Sequence, residues 1–347
     1  MRKIKISRKS ILLTILIVIL ILILVLVTIG VVSIFMGRRT VISINGVNYS
    51  QNDYMMYLRL AKNNLFDEET TRLPKATLNT IVDSDTNLNT EQYLRQKTEE
   101  NLKIAGAIEK IASENNIVLS SEDEQQLEKD KQEYIDKLGG KLKFCKFLYD
   151  NRTSEEAYDK IARLDKLYTK VYDELYASGK EKDLTEKEIR EAESTYQIEY
   201  KKARQIFLLT VDPTTKDDLS DSVIEQKKLL AQTIRNELNE NSDFDEYIKK
   251  YSDDAIDKEP PYDMYFKSGQ MIEEIEDAVN ELQVGQISPV IKSEYGFHII
   301  KRDELDDGYF QKYLDSKREN KFLTEIYDTV KECKIIIQDS FTTLRVD

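Results

Sequence analysis

Histidine occurs once among the 347 residues and cysteine twice. One imidazole cannot build a histidine-based metal site, and no Cys/His cluster has metal-ligand spacing. Two cysteines, Cys145 and Cys333, make no disulfide framework, although they could pair in an oxidising compartment. The motifs G-x-x-x-x-G-K-S/T, G-x-S-x-G and G-x-G-x-x-G are all missing. Their absence removes the phosphate-cradling loop, the nucleophile elbow and the dinucleotide fingerprint. Positive charge is in deficit, with 51 basic against 64 acidic residues. That balance argues against nucleic acid as a partner. No metal and no cofactor is expected.

Charge is missing altogether from Ile11 to Met36, a run rich in Ile, Leu and Val. At about 1.5 Å rise per residue this run can cross a hydrocarbon core of about 30 Å with some tilt. Ahead of it stand Arg2, Lys3, Lys5, Arg8 and Lys9 with no acid; behind it stand Gly37, Arg38 and Arg39. The basic bias keeps a tail, 1–10, in the cytoplasm and makes 11–36 a transmembrane signal anchor. A cleaved secretory signal would have a shorter apolar region and a small-residue cleavage site, of which VVSIFMG is only a weak example. The first cysteine is Cys145, so none lies near the membrane to carry a lipid. Without the five tail basics the remainder holds 46 basic and 64 acidic residues, a net of −18. The expected localisation is the cell membrane, single-pass, with the N-terminus cytoplasmic and an acidic ectodomain outside. That ectodomain is long enough for more than one domain.

After the anchor, VISINGVNYS reads as a strand, a turn at Asn45-Gly46 and an entry into helix. From Gln51 to about Tyr200 the periodicity is mostly helical, with Asp67 to Asn89 as loop. Capping boxes are expected at Ser121 to Glu124, Thr153 to Glu156 and Thr185 to Glu188. Tyr158, Ile161, Leu164, Tyr168, Val171, Tyr172 and Leu175 recur at spacings of three and four. Such a stripe is a helix-packing face or, alternatively, a surface that grips unfolded chains. From about Lys202 the order β-α-α-β-α-β-β suggests one small α+β domain with an antiparallel sheet. A helix and a last strand, CKIIIQDSF, follow. His298 falls on the final strand of the small domain, in SEYGFHIIKRDE. A lone histidine there is either a satisfied core residue or part of a site.

ARQIFLLTV, FDEYIKKYSDD and FKSGQMIEEIEDAVNELQVGQISPVIKSEYGFHIIK resemble, in order and spacing, the parvulin family of peptidyl-prolyl isomerases. The resemblance covers roughly 202–303. The whole chain resembles the PrsA/SurA-type extracytoplasmic foldases. The implied fold class is α+β: an N-terminal transmembrane helix and a mainly α-helical chaperone module of SurA-N type over 40–200, completed by 304–347. The inserted parvulin domain, 202–303, would be a four-stranded antiparallel sheet with surrounding helices. Val41 to Asn45 would pair with Lys334 to Gln338 and close the helical module.

The resemblance implies the site residue by residue. His298 matches the second of the family's paired histidines, and Asp254 a position that is Cys or Asp. Ser293 matches a Thr or Ser that hydrogen-bonds within the site. Met271 and Phe266 match the proline pocket and its wall. Three positions depart from the pattern. Gln205 replaces the first histidine, Ile275 replaces a pocket aromatic, and Asp263 stands where the family has an apolar pocket residue. A carboxylate there is costly unless it turns to solvent. The implied chemistry breaks no bond. Amide rotation faces a barrier of about 18–20 kcal/mol, and a catalyst must bind the twisted amide better than the planar one. The implied partners are unfolded or newly secreted polypeptides, with membrane contact through the N-terminal helix; a homodimer is compatible with the sequence. The alternative is a non-catalytic chaperone, holdase or adaptor with a degenerate parvulin domain.

Overall fold

The computed structural model describes residue 19 and residues 36–66, 73–83, 85–239, 241–254, 260–342 and 344–346. The segment read as a membrane anchor, 11–36, lies outside the described residues except for Ile19 and Met36. Among the described residues no helix is long and apolar enough to cross a membrane. The chain divides into two compact units, Met1–Lys182 with Glu319–Asp347, and Asp183–Arg318.

The first unit opens with a hairpin, β1 (Thr40–Ile44) and β2 (Val47–Ser50). Asn45 and Gly46 join them, both at positive φ (52° and 85°). Two such residues in sequence match the twist of a two-residue hairpin turn. Ser50 then caps α1 (Gln51–Asn63), with Asp53 reaching back in a capping box. Tyr54, Leu58 and Ala61 recur along its buried face. The next stretch is more ordered than a loop. It holds α2 (Lys75–Leu78) and a second hairpin, β3 (Ile81–Asp83) with β4 (Leu88–Asn89).

Four helices follow: α3 (Thr90–Glu114), α4 (Ser121–Lys137), α5 (Lys141–Asp150) and α6 (Glu155–Leu175). Two caps differ from the sequence reading by one residue. Ser120, boxed with Asp123, caps α4 in place of Ser121, and Ser154 caps α6 in place of Thr153. Adjacent hydroxyls offer the same side-chain acceptor, so the choice rests on backbone geometry that sequence leaves open. The Tyr stripe of α6 is a packing face. Tyr168 and Tyr172 lie against Phe322, and Tyr158 lies against Phe144 and Tyr134.

The second unit contains α7 (Glu186–Glu199), β5 (Tyr200–Leu209), α8 (Asp221–Glu237), α9 (Phe244–Tyr251) and β6 (Met264–Lys267). It continues with α10 (Glu273–Glu281), β7 (Ile291–Lys292) and β8 (Gly296–Asp303). The four strands form one antiparallel sheet in the order β6-β5-β8-β7. Gly296 permits the closest approach of β8 to β5, since a Cβ there would lie 2.2 Å from the Leu208 carbonyl oxygen. One side of the sheet packs on α8 and α9 through Ile206, Leu208, Phe297 and Ile299. The other packs on α10 through Ala203, Phe266 and Ile300.

The second unit extends beyond 202–303 at both ends. A cluster of Ala192, Tyr196, Tyr313 and Leu314, with Tyr200, Tyr309 and Phe310 against it, joins α7, the start of β5 and the first half of α11 (Asp307–Glu332). Those helices follow their own aromatic core, which a motif match over the catalytic region does not cover.

The chain then returns to the first unit. β9 (Ile335–Ile337) pairs antiparallel with β1, Ser43 facing Ile336, in a sheet of order β2-β1-β9. This is the pairing that the resemblance implied. α12 (Asp339–Thr342) and the residues after it bring Phe341, Leu344 and Val346 into the core around Tyr54, Leu58 and Leu94. Cys145 is exposed, and neither it nor Cys333 is in a disulfide. The Cys333 Sγ accepts from Asn45 Nδ2 at 3.1 Å and donates to the Thr329 carbonyl at 3.2 Å.

Candidate active site

Strand alternation assembles the site. On β5, Ala203, Gln205 and Phe207 point to the α10 side; on β8, His298 and Ile300 do the same. Phe207 stands directly opposite His298 in the ladder, and their rings stack at 4.5 Å. His298 is buried. Its Nδ1 lies 3.1 Å from Gln205 Oε1, and its Nε2 lies 2.7 Å from Ser293 Oγ. The tautomer follows from the partners. A carboxamide oxygen only accepts, so Nδ1 carries the proton and Nε2 accepts from the serine hydroxyl. Ser293 Oγ in turn accepts from the Tyr295 N–H at 3.2 Å. The chain runs from a backbone amide through Ser293 and His298 to Gln205, and both imidazole nitrogens have partners.

Burial pushes the His298 pKa down to about 4, and the positive charge of Lys292 adds to the effect. The ring is therefore neutral at pH 7. A neutral imidazole between two neutral partners orients and donates; it does not supply charge.

The apolar half of the site lies on the same sheet face. Phe266 and Ile275 are buried with Ala203, Val279 and Ile300, and Met271 packs against them. Ala203 and Ile300 alternate with Gln205 and His298 along their strands, which places the cluster beside the polar chain.

Asp263 does not enter that cluster as a free carboxylate. Its Oδ2 lies 3.2 Å from Lys202 Nζ. Lys202 alternates with Ala203 and Gln205, so it stands on the opposite face of β5. The same ammonium meets Asp306 at 3.0 Å, and Tyr265 Oη donates to Asp306. The substitution that looked most damaging in sequence thus belongs to a separate ionic network.

Of the expected residues, the structure joins Gln205, Ser293 and His298 by hydrogen bonds and gathers Met271, Ile275 and Phe266 by packing. The two nitrogens of the imidazole bond Gln205 and Ser293, and the end of α9 leads into Asp254. Its two predecessors stitch the end of α9 to β5. Ser252 Oγ accepts from the Phe207 N–H at 3.1 Å. The Asp253 N–H donates to the Phe207 carbonyl at 2.7 Å, and its Oδ2 accepts from the Leu209 N–H at 3.0 Å. Sequence reasoning weighed only the last residue of Tyr251-Ser252-Asp253-Asp254. The available signal was the run of three side-chain acceptors leaving a helix; Ser252 and Asp253 meet the edge of β5 that β6 leaves uncovered beyond Ala203.

Residues 206–304 match the Rotamase family, described as a PPIC-type PPIASE domain. Foldase protein PrsA 1 of Bacillus cereus is 32% identical over 128 residues, 37% of this chain and 37% of that one. Foldase protein PrsA of Staphylococcus aureus is 29% identical over 228 residues, 62% of this chain and 65% of that one. The chain thus matches less than two thirds of the length of these relatives. Among solved structures, PrsA from Bacillus anthracis has a TM-score of 0.28 and 22% identity, covering 67% of this chain and 96% of that one. Foldase protein PrsA from Streptococcus pneumoniae has a TM-score of 0.36 and 18% identity, covering 72% and 88%. With the sheet, the neutral histidine chain and the family match in agreement, residues 206–304 are a parvulin-type peptidyl-prolyl isomerase domain, carried in a chain similar to the PrsA foldases.

Proposed function

We propose that this chain is a membrane-anchored extracytoplasmic foldase that binds unfolded secreted polypeptides and isomerises their X-Pro bonds. One observation carries the reading: the hydrogen-bonded Ser293–His298–Gln205 chain lies beside the apolar group of Met271, Ile275 and Phe266, within the matched domain or, for Gln205, one residue before it. The apolar group would hold the proline ring and exclude water from the amide. A twisted amide loses resonance, and it is less destabilised than a planar one when removed from water. His298, fixed by Gln205 and Ser293, would keep the floor rigid while the bond rotates. Each 1.36 kcal/mol of preferential binding to the twisted form is worth about tenfold in rate. Asp254 would border the floor from the end of α9.

The alternative, a chaperone without catalysis, draws on Gln205, which stands where the family has a histidine. A proline-isomerisation assay on the full chain in detergent, with varied residues before proline, separates the two. Isomerisation above background, reduced by Met271→Ala, is the expected outcome. Suppressed client aggregation with no isomerisation would establish the non-catalytic reading instead. For the anchor, protease added to intact cells should digest everything beyond the apolar segment. Protection of the whole chain would overturn the orientation.

A further inference from the structure

Helix α5 carries apolar residues on two opposed faces. Phe144 and Leu148 are buried on one, in a cluster with Ile135 of α4 and Tyr158 of α6. Leu142, Cys145 and Tyr149 recur at spacings of three and four, so they share the other. Leu142 is 87% exposed and Tyr149 78%, and Cys145 is exposed as well. One exposed leucine on a surface needs no explanation, but an outward stripe on a ten-residue helix does. Lysines flank the stripe. Lys141 is paired with Glu155 at 2.8 Å and Lys146 with Asp150, while Lys143 makes no ion pair among the described residues.

The packing of the first unit puts this helix next to the end of the apolar run 11–36. Met36 is exposed, and Gly37 lies so close to Asn52 that a Cβ on it would come within 2.4 Å of the Asn52 Oδ1. The Asn52 carbonyl accepts from Thr153 Oγ1 at 2.9 Å, and Arg38 meets Glu156 at 3.9 Å. Asn52 thus holds the start of the ectodomain against the corner between α5 and α6. Tyr149 precedes Thr153 by four residues, and Leu142 lies about 10 Å further along the helix. The corner is also basic. Residues 37–39 and 141–156 together hold six basic residues against three acidic ones, in a chain of net charge −13. From α1, Arg59 lies over the Phe147 ring at 6.0 Å, and Asp53 is paired with Lys160 at 3.2 Å.

We propose that α5 rests on the surface of the membrane that holds the chain, with Leu142, Cys145 and Tyr149 in the interface and its lysines on anionic lipid headgroups. The inference rests on the anchor reading and adds a second membrane contact to it. An apolar stripe flanked by lysines is the chemistry of a helix lying in the plane of a bilayer. A helix of ten residues would bind a bilayer weakly by itself. Tethered beside the anchor, it meets the surface as an intramolecular event, at high effective concentration.

The test uses the full chain with Cys333→Ser, which keeps a donor and an acceptor for Asn45 and Thr329, and a bimane label on Cys145. The protein is reconstituted in vesicles of phosphatidylcholine, with or without phosphatidylglycerol, whose acyl chains carry a nitroxide quencher near the headgroup. A label on Gln125→Cys, with Cys145→Ser, is the control; that position is exposed on α4, about 15 Å along the helix from Ile135. We expect the Cys145 label to be quenched about threefold more than the control in phosphatidylglycerol vesicles. The excess should shrink at high salt and without phosphatidylglycerol. Leu142→Glu with Tyr149→Glu, both exposed and so harmless to folding, should bring the signal down to the control. Quenching equal in the two vesicle types would strike out the headgroup contact. A signal no greater than the control, in chains that stay with the vesicles through alkaline carbonate, overturns the surface contact and leaves the anchor standing. Chains that carbonate strips from the vesicles remove the anchor reading and the surface contact together. Cross-linking of Cys145 to a second Cys145, or shielding of the label by an unfolded client, in either case without lipid quenching, assigns the stripe to that occupant and overturns the proposal.

Discussion

A buried imidazole with both nitrogens on neutral partners gains nothing from a second proton. His298 titrates in the folded protein at about 4, against about 6.5 in an unfolded chain. Between those values the unfolded state binds more protons, so stability falls as pH drops from 6.5 towards 4 and is unaffected above 7. The effect is at most about 3 kcal/mol. Amide hydrogen exchange of β5 and β8, corrected for intrinsic rates, should show protection falling over that window. In His298→Gln the slope should be absent; equal slopes in the two proteins would refute the assignment. The histidine, Gln205 and Ser293 were legible through the family resemblance, which matches each of them inside a motif; the residues alone left His298 either a satisfied core residue or part of a site. Asp263 was legible as a residue but not as a contact. Its partner Lys202 is set by strand alternation and by Asp306, far away in sequence. Ser252 and Asp253 were hidden for the same reason, since their targets are backbone groups of β5, which have no sequence signature.

At the scale of elements, the β1–β9 ladder makes a sharp prediction. The Gln338 N–H donates to the Val41 carbonyl at 3.0 Å, and the Asn45 N–H donates to the Lys334 carbonyl at 2.9 Å. With Ser43 opposite Ile336, the peptide groups of 334, 336 and 338 face β1 and those of 335 and 337 face outward. Ile336→Pro should therefore break the ladder and destabilise the first unit by about 1–3 kcal/mol. Ile337→Pro removes only an outward N–H and should cost clearly less. Urea unfolding of the two variants compares them directly, and equal losses would mean the register is wrong. The pairing could be anticipated from the resemblance, and the three isoleucines of the last strand argued against an unpaired tail. The small hairpin of β3 and β4 could not, since strands of three and two residues are too short to show a period, and the Thr90 N–H on the Thr80 carbonyl at 2.9 Å, a backbone contact, has no sequence signature. Helix existence followed from periodicity; the starts of α4 and α6 slipped by one residue because two neighbouring side chains could each have served as the cap.

For the whole molecule, the resemblance located the catalytic region but not the full extent of the second unit, whose margins belong to a tyrosine cluster outside the motifs. The first unit is discontinuous, and its core needs Phe341, Leu344 and Val346. Tyr54 meets Phe341 edge-on at 5.1 Å, and Arg95 donates to the Leu344 carbonyl at 2.6 Å. Removing 335–347 should open the first unit to proteolysis while leaving 183–318 protected; equal protection of both in the truncated chain would contradict this. The closing strand carries a further implication, one of timing. A chain made from its N-terminus exposes β1 early, yet β1 has no second neighbour until residues 335–337 have been made. The second unit, whose strands all lie between 200 and 303, can fold while the first is still waiting. The order of folding is then the reverse of the order of synthesis for these two bodies. A chain interrupted late in synthesis would carry a finished isomerase domain beside an unfinished helical one, and the exposed core of the latter would mark it for degradation.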